Sequence, residues 1–444
     1  MDFSTVKNFI KGDKVIWMIF FLLCVVSVIE VFSASSSLSH GGEQYLSPIS
    51  KHIGILMFGV AGLLVMANIK CKYFKVFTPF MLLVSYALLF WALIVGESTN
   101  GAQRWVSILG IQFQPSEIAK GTLVLFSAQV LSALQTPKGA DPKAMKYILG
   151  FSAIPLALIF KENLSTAALL FATLVMMMFI ARVPLKNIGY LLGVIILGAS
   201  IFVGAILLFG ETTTDKSAEQ LTKTELVDKA SDGKTTSADA TTENAEAKPV
   251  KKGGIGSVLT RLGTWKSRIM SFTDPKPSPD EYDLDKNMQA GHANIAIAKC
   301  NVIGRGPGNS VERDFLPQAF SDFIFSIIIE EFGIIGGFLV AALYIFLLVR
   351  TGRIAYRCEN NFPAFLAMGL AILLVIQALF NMAVCVGIVP VTGQPLPLVS
   401  KGGTSSIINC LYIGIILSIS RTAKVKPELR KGRGQKVEAI PVEA

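Results

Sequence analysis

About ten stretches of this chain are long and apolar enough to cross a bilayer, a recurrence that limits the fold more than any other feature of the sequence. They run 15–33, 52–69, 74–96, 115–134, 164–182, 187–209, 324–349, 363–389 and 403–420, with a weaker one at 146–160. A crossing of roughly 30 Å of hydrocarbon takes about 17–25 helical residues, and in lipid the backbone must satisfy its own hydrogen bonds. The expectation is an all-α polytopic integral membrane protein with about ten transmembrane helices. Composition agrees: 52% of the residues are hydrophobic and 16% charged, where an ordinary soluble domain carries about a quarter charged.

The weak run decides topology, because omitting it would invert every later segment. Short-loop charge resolves the count. Lysines 7, 11 and 14, then 70, 72 and 75, then 138, 143 and 146, then Arg182 and Lys186, then Arg350, Arg353 and Arg357 fall in every second connection. The tail adds Arg421, Lys424, Lys426, Arg430, Lys431, Arg433 and Lys436. Both termini are therefore expected to be cytoplasmic, and the net charge of +10 is mostly topology. The first run is read as a span, since no small-residue cleavage site follows it in register. The six cysteines show no C-x-x-C pairing and the three histidines form no cluster, so neither disulfide nor structural zinc is expected.

The chain divides into 1–210, with helices and short loops; 211–322, one long extracytoplasmic loop; 323–421, the last three spans; and 422–444, a basic cytoplasmic tail. Within the long loop, 211–252 is rich in Thr, Ser, Lys, Glu and Ala and cannot bury enough surface to fold alone. Residues 255–272 place apolar side chains at helical spacing with Arg261, Lys266 and Arg268 between them, which fits an interfacial helix or a plain surface helix equally.

Three outer segments carry the chemistry-bearing residues. In "NGAQRWVSILGIQFQPSEIAKG", Pro115 suits a first helical turn and Glu117 can support the orphan N–H groups there. Lys120 lies one turn on, at the spacing that pairs it with Glu117. Arg104 and Trp105 sit at the rim, where Trp anchors at headgroup level and Arg can grip phosphate. In "PVTGQPLPLVSKGGTSS", Pro395 and its neighbours make irregular backbone, which near a membrane survives only when buried in protein or lining a polar cavity. Ser400, Lys401, Gly402, Gly403 and Thr404 then lead into a helix start that offers N–H groups and a cation to an anion.

The third segment, "QAFSDFIFSIIIEE", sets Asp322 before an apolar run and Glu330 and Glu331 inside it. Asp322 or Ser321 could be no more than a helix cap. Asp322 is also the acid at the water-accessible rim, where a general base for a bulky, membrane-anchored substrate must stand. The glutamates lie about 12 Å deeper along a continuous helix and are expected in packing networks or ion pairs.

At these residues the chain resembles the SEDS family (shape, elongation, division and sporulation) of peptidoglycan polymerases. "GAQRW", "FQPSEIAK", "RIMSFTDP", "GRGPG", "FLPQAFSDFIF" and "PVTGQPLPLVSKGGTSS" occur in family order across nearly the whole chain. The resemblance implies a ten-span glycosyltransferase that joins lipid II, an undecaprenyl-pyrophosphate-linked disaccharide pentapeptide, into glycan strands outside the cytoplasmic membrane. It places Asp322 on the family's essential aspartate and Glu117 and Lys120 on its paired charges. The long outer loop and "PVTGQ" lean towards the division-type member rather than the elongation-type one, implying a class B penicillin-binding transpeptidase and other divisome proteins as partners, and the division septum as location.

Three positions depart from the pattern: Lys401 stands where Tyr is usual, Phe320 where His is common, and "KENLSTA" at 161–167 where "QPDLGTA" is usual. An inverting transfer needs a base on the acceptor hydroxyl and positive charge for the departing pyrophosphate. Asp322 is the candidate base, and Arg104, Arg313, Lys401 or a divalent cation, Mg2+ or Mn2+, the candidate charge, with no metal-ligand spacing visible. The competing readings are a lipid II flippase, which would use intramembrane carboxylates as a proton relay, and a non-enzymatic divisome scaffold.

Overall fold

The computed structural model of the protein describes residues 11–35, 46–95, 97–99, 102–108, 111–209, 270, 272, 288–316 and 320–423. The low-complexity stretch 211–252, all of 255–272 except Met270 and Phe272, and the tail beyond Ala423 lie outside the described residues.

Each apolar run has its helix. In chain order these are α1 (Lys14–Ser35), α2 (Leu46–Asn68), α3 (Cys71–Val95), α4 (Pro115–Ala133), α5 (Pro142–Glu162), α6 (Leu164–Ile180) and α7 (Leu185–Phe209), then a short α8 (Met288–Ala298) in the outer region. The long α9 (Ile324–Arg357), α10 (Asn361–Cys385) and α11 (Thr404–Thr422) complete the set. Among the described residues, 8 helices are long and apolar enough to cross a membrane, the weak run's α5 included. The other two runs fall short for identifiable reasons: α6 has 17 residues, and α4 carries Glu117 and Lys120 inside its 19. Helix α5 starts where the sequence punctuates it, with Pro142 in the first turn and Asp141 capping through a 2.7 Å bond from the Lys143 N–H.

Short β-structure interrupts the helical pattern. The connection 97–113 forms an antiparallel meander of β1 (Glu97–Thr99), β2 (Ala102–Ile108) and β3 (Ile111–Phe113), and 135–140 forms a two-stranded ribbon, β4 (Gln135–Thr136) with β5 (Gly139–Ala140). Trp105 pairs with Glu97, and Val106 with Phe113. Pairing satisfies backbone groups that a bare loop would leave to solvent.

The bundle is centred on α10 and α11, whose spans are 67% and 61% buried, whereas α7 is 6% buried and lies at the edge. Helix α10 packs on α4, α6, α9 and α11, and α11 on α2. Polar side chains on α10 therefore reach several neighbours.

Helix α9 is not continuous. Gly333 has φ 73° and ψ −173°, breaking the helix immediately after Glu330 and Glu331. The break lets the outer segment 302–313 enter: Arg305 N–H donates to the Glu330 carbonyl at 3.1 Å and Gly306 N–H to the Glu331 carbonyl at 2.8 Å. Gly304 and Gly333 cross so closely that a Cβ on Gly304 would lie 2.3 Å from the Glu331 carbonyl oxygen. Broken helices persist in membrane proteins where other protein groups satisfy the freed backbone, as here.

Candidate active site

The proline-rich connection between α10 and α11 is fixed one carbonyl at a time. Asn381 of α10 donates to the Gln394 carbonyl at 2.7 Å and Gln377 to that of Pro395 at 3.1 Å. The Tyr344 hydroxyl bonds the Pro397 carbonyl, and Ser27 of α1 donates to that of Val399 at 2.7 Å. The Gln394 side chain reaches Thr166 Oγ1 at 2.8 Å, in the first turn of α6. Asn163, in the departing "KENLSTA" segment, caps that turn by accepting from the Thr166 N–H. The irregular backbone is thus buried against donors from α1, α9 and α10, while α6 accepts from its Gln394 side chain.

This connection cradles Asp322. Ser400 Oγ donates to the Ser321 carbonyl at 2.6 Å and the Lys401 N–H to the Phe320 carbonyl at 2.9 Å. The second amide hydrogen of Asn381 goes to the Asp322 carbonyl at 2.8 Å, so one side chain ties Asp322 to the cradle. Gly393, at φ 70°, sits where a Cβ would come 3.3 Å from Asp322 Oδ2. Asp322 itself is half-buried, and its Oδ1 accepts from Ser321 Oγ at 2.9 Å.

The cap reading does not hold. The N-cap of α9 is Phe323 and carries no side-chain cap bond, so neither Asp322 nor Ser321 closes the helix. The Glu117 reading also changes. Its carboxylate does not support the start of α4 but pairs with Lys120 at 2.9 Å, both side chains being almost fully buried. Lys120 Nζ donates on to Gln377 Oε1 at 2.9 Å, linking the ion pair to the cradle.

Arg313 is committed elsewhere. Its Nη1 donates to the Ser33 carbonyl at 3.1 Å, to Ser33 Oγ at 3.0 Å and to the Gly308 carbonyl at 2.8 Å, so it fastens the outer segment to α1. Glu330 and Glu331 do form the expected network, and its donors are mostly backbone. Glu331 accepts from the Gly308 and Ser310 N–H groups, and Glu330 from Val311 N–H and Arg305 Nη1.

Lys401 turns its ammonium over the Phe320 ring, 4.8 Å from the centroid. Two departures from the family pattern therefore touch one another. Burial and the neighbouring Lys51 hold the Lys401 pKa below the ordinary lysine value. Gly402 accepts from the Ser405 N–H at 3.0 Å, and Gly403 enters α11 with no side-chain cap, leaving Thr404 at the first helical position. Trp105 is half-buried on β2, and the Arg104 side chain lies outside the described residues. Among the described residues, no group of three or more His, Cys, Asp or Glu is placed to hold a metal ion.

Sequence reasoning missed Gln377, Asn381, Gln394, Thr166 and Gly393. A signal for two of them was present: Gln377 and Asn381 are polar, one turn apart, inside an otherwise apolar span, and such residues face protein rather than lipid.

The fold and this cradle define a polytopic helical membrane protein with a carboxylate fixed at the mouth of its bundle. The family model of the FtsW, RodA and SpoVE cell cycle proteins matches residues 13–230 and 254–425, and the chain belongs to that family. It is 26% identical over 424 residues to a probable peptidoglycan glycosyltransferase FtsW of Coxiella burnetii, covering 93% of this chain and 98% of that one. A protein of the same description from Hahella chejuensis is 29% identical over 409 residues, covering 90% of this chain and 88% of the other. The fold matches the crystal structure of the rod shape determining protein RodA of Thermus thermophilus, with a TM-score of 0.58, 18% identity, and coverage of 94% and 99%. It also matches a chain from a peptidoglycan synthase complex that coordinates polymerization and crosslinking, with a TM-score of 0.62, 21% identity, and coverage of 93% and 98%.

Proposed function

We propose that this protein is a peptidoglycan glycosyltransferase that polymerises lipid II at the outer face of the cytoplasmic membrane, with α4 and α6 completing a ten-span bundle. The observation that carries the reading is Asp322, half-buried, with Ser321 bonded to its carboxylate and Asn381 to its main-chain carbonyl, beside Gly393 on backbone that helix side chains immobilise. A carboxylate fixed at a rim, one position ahead of the helix N-cap, is what a general base requires.

Asp322 takes the proton of the acceptor sugar's 4-hydroxyl as that oxygen bonds to the donor's anomeric carbon. The bond from that carbon to the pyrophosphate oxygen breaks with inversion, and undecaprenyl pyrophosphate leaves with the electron pair. Positive charge stabilises the leaving group. Lys401, Arg104 and the uncapped start of α11 at Gly403 and Thr404 supply it. The FtsW name of the relatives favours a division role, and with that role the reading takes a class B penicillin-binding transpeptidase as partner and the septum as location. The flippase reading loses its main support, because Glu330 and Glu331 hold N–H groups of the outer segment and so form part of a structural clamp.

The test is lipid II polymerisation by purified wild type and Asp322→Asn, each with its transpeptidase, and with folding and partner binding verified. Glycan strands from the wild type and none from a folded, partner-bound variant are expected. Normal polymerisation by the variant would overturn the assignment.

A further inference from the structure

A cavity among the described residues lies at the opposite end of the bundle from Asp322. It has a volume of about 820 Å³ and opens where α2 ends, α3 begins, α9 passes to α10 and α11 ends. Its charged lining consists of Lys70, Lys72, Lys75 and Arg421 against a single carboxylate, Glu359. We propose that it is a binding site for the headgroup of an anionic phospholipid of the cytoplasmic leaflet, of the phosphatidylglycerol or cardiolipin class.

Four observations support this occupant. Arg421 is preset: its Nη1 donates to the Ala67 carbonyl at 2.7 Å, and among the described residues its Nη2 carries no bond. Asn360, the N-cap of α10, makes no side-chain cap bond, so the positive end of that helix opens beside Asn361 on the cavity wall. The volume far exceeds that of one phosphate ion and suits a glycerophosphate group.

The fourth observation distinguishes a lipid from a soluble anion. From the cavity's edge, Tyr73, Val76, Phe77, Phe80 and Leu83 run up one face of α3, each 47–70% exposed. That spacing makes a continuous apolar stripe on which acyl chains can lie while phosphate stays among the lysines. The chain's own tail is a poor occupant, since it begins Lys424, Lys426 and continues Arg430, Lys431, Arg433. Basic pockets between helices at the cytoplasmic side are a recurrent form of anionic-lipid site. The positive-inside rule accounts for cations at this face but not for their convergence on one cavity.

The test is native mass spectrometry of the full-length protein with cardiolipin, phosphatidylglycerol or phosphatidylcholine, in the presence and absence of inorganic phosphate. Wild type is expected to retain the two anionic lipids at least about tenfold over phosphatidylcholine, and a Lys70→Gln/Lys75→Gln/Arg421→Gln variant to lose that preference. A control with Lys138→Gln/Lys143→Gln/Lys146→Gln, equal in charge and at the same face but outside the cavity, is expected to keep it. Equal retention of phosphatidylcholine by wild type, equal loss in the control, or displacement of the lipid by matching phosphate concentrations would each overturn the proposal. The wild-type measurements decide it even if the triple variant does not fold.

Discussion

Lys120 Nζ donates to Gln377 Oε1 across 2.9 Å, and the same Gln377 donates through Nε2 to the Pro395 carbonyl at 3.1 Å. A buried ion pair on α4 thereby supports the backbone that cradles Asp322. Lys120→Met leaves Glu117, whose Oε2 is already buried without a partner, as an uncompensated charge. The expected cost is about 3–5 kcal/mol, most of it recovered in Glu117→Gln/Lys120→Met. Thermal unfolding of the two variants in detergent checks this, and equal losses would show that charge compensation is not what holds the pair.

Gly393→Ala is expected to impair polymerisation more than stability. Its left-handed φ of 70° costs an L-residue about 1–2 kcal/mol. The added Cβ would also press on Asp322 Oδ2 at 3.3 Å and re-aim the carboxylate. The comparison to make is initial polymerisation rate against melting temperature for the purified variant. A melting point that falls with no loss of rate would contradict the proximity argument.

The clamp made by Glu330 and Glu331 governs whether the outer segment stays docked. Glu331→Ala strands the N–H groups of Gly308 and Ser310, and Glu330→Ala that of Val311, at about 1–3 kcal/mol per lost partner. Hydrogen exchange at 305–313 should accelerate sharply in either variant while α10 remains protected. Unchanged protection of that segment would mean the backbone crossing at Gly304 and Gly333 suffices.

Glu312 makes the same region sensitive to acid. Burial pushes its carboxyl upward, but bonds from Lys299 at 2.8 Å and His292 at 2.7 Å outweigh that and hold its pKa below the usual carboxylate value. A lowered folded-state pKa contributes stability that is complete above the unfolded value, about 4.3 for Glu, and is lost as pH falls through the folded one. Protection of 288–316, taken as exchange relative to the intrinsic amide rate at each pH, should therefore fall as pH drops below the unfolded value, and Glu312→Gln should flatten that dependence. A variant retaining the full pH response would assign it to another group.

The pairing of Glu117 with Lys120 was legible in the sequence because both lie on one helix, three positions apart. The bond from Lys120 to Gln377 spans 257 positions and was not. The Asp322 position could be read as cap or base from the sequence. The structure removes the cap by starting α9 at Ile324, with Phe323 at the N-cap position. Arg313, a reasonable phosphate cation by composition, turned out to be bonded to Ser33 across 280 positions.

The sequence by itself determined where the helices lie, which connections carry positive charge, and where the chemistry-bearing residues concentrate. Those properties follow from length, apolar content and contacts within a turn or two of helix. Tertiary structure alone decided which polar group meets which: that Gln377 and Asn381 face the cradle, that Gly333 opens α9 to the outer segment, and that Lys401 lies over Phe320. A buried polar group must find a partner, but the helices packed against it determine which partner is within reach.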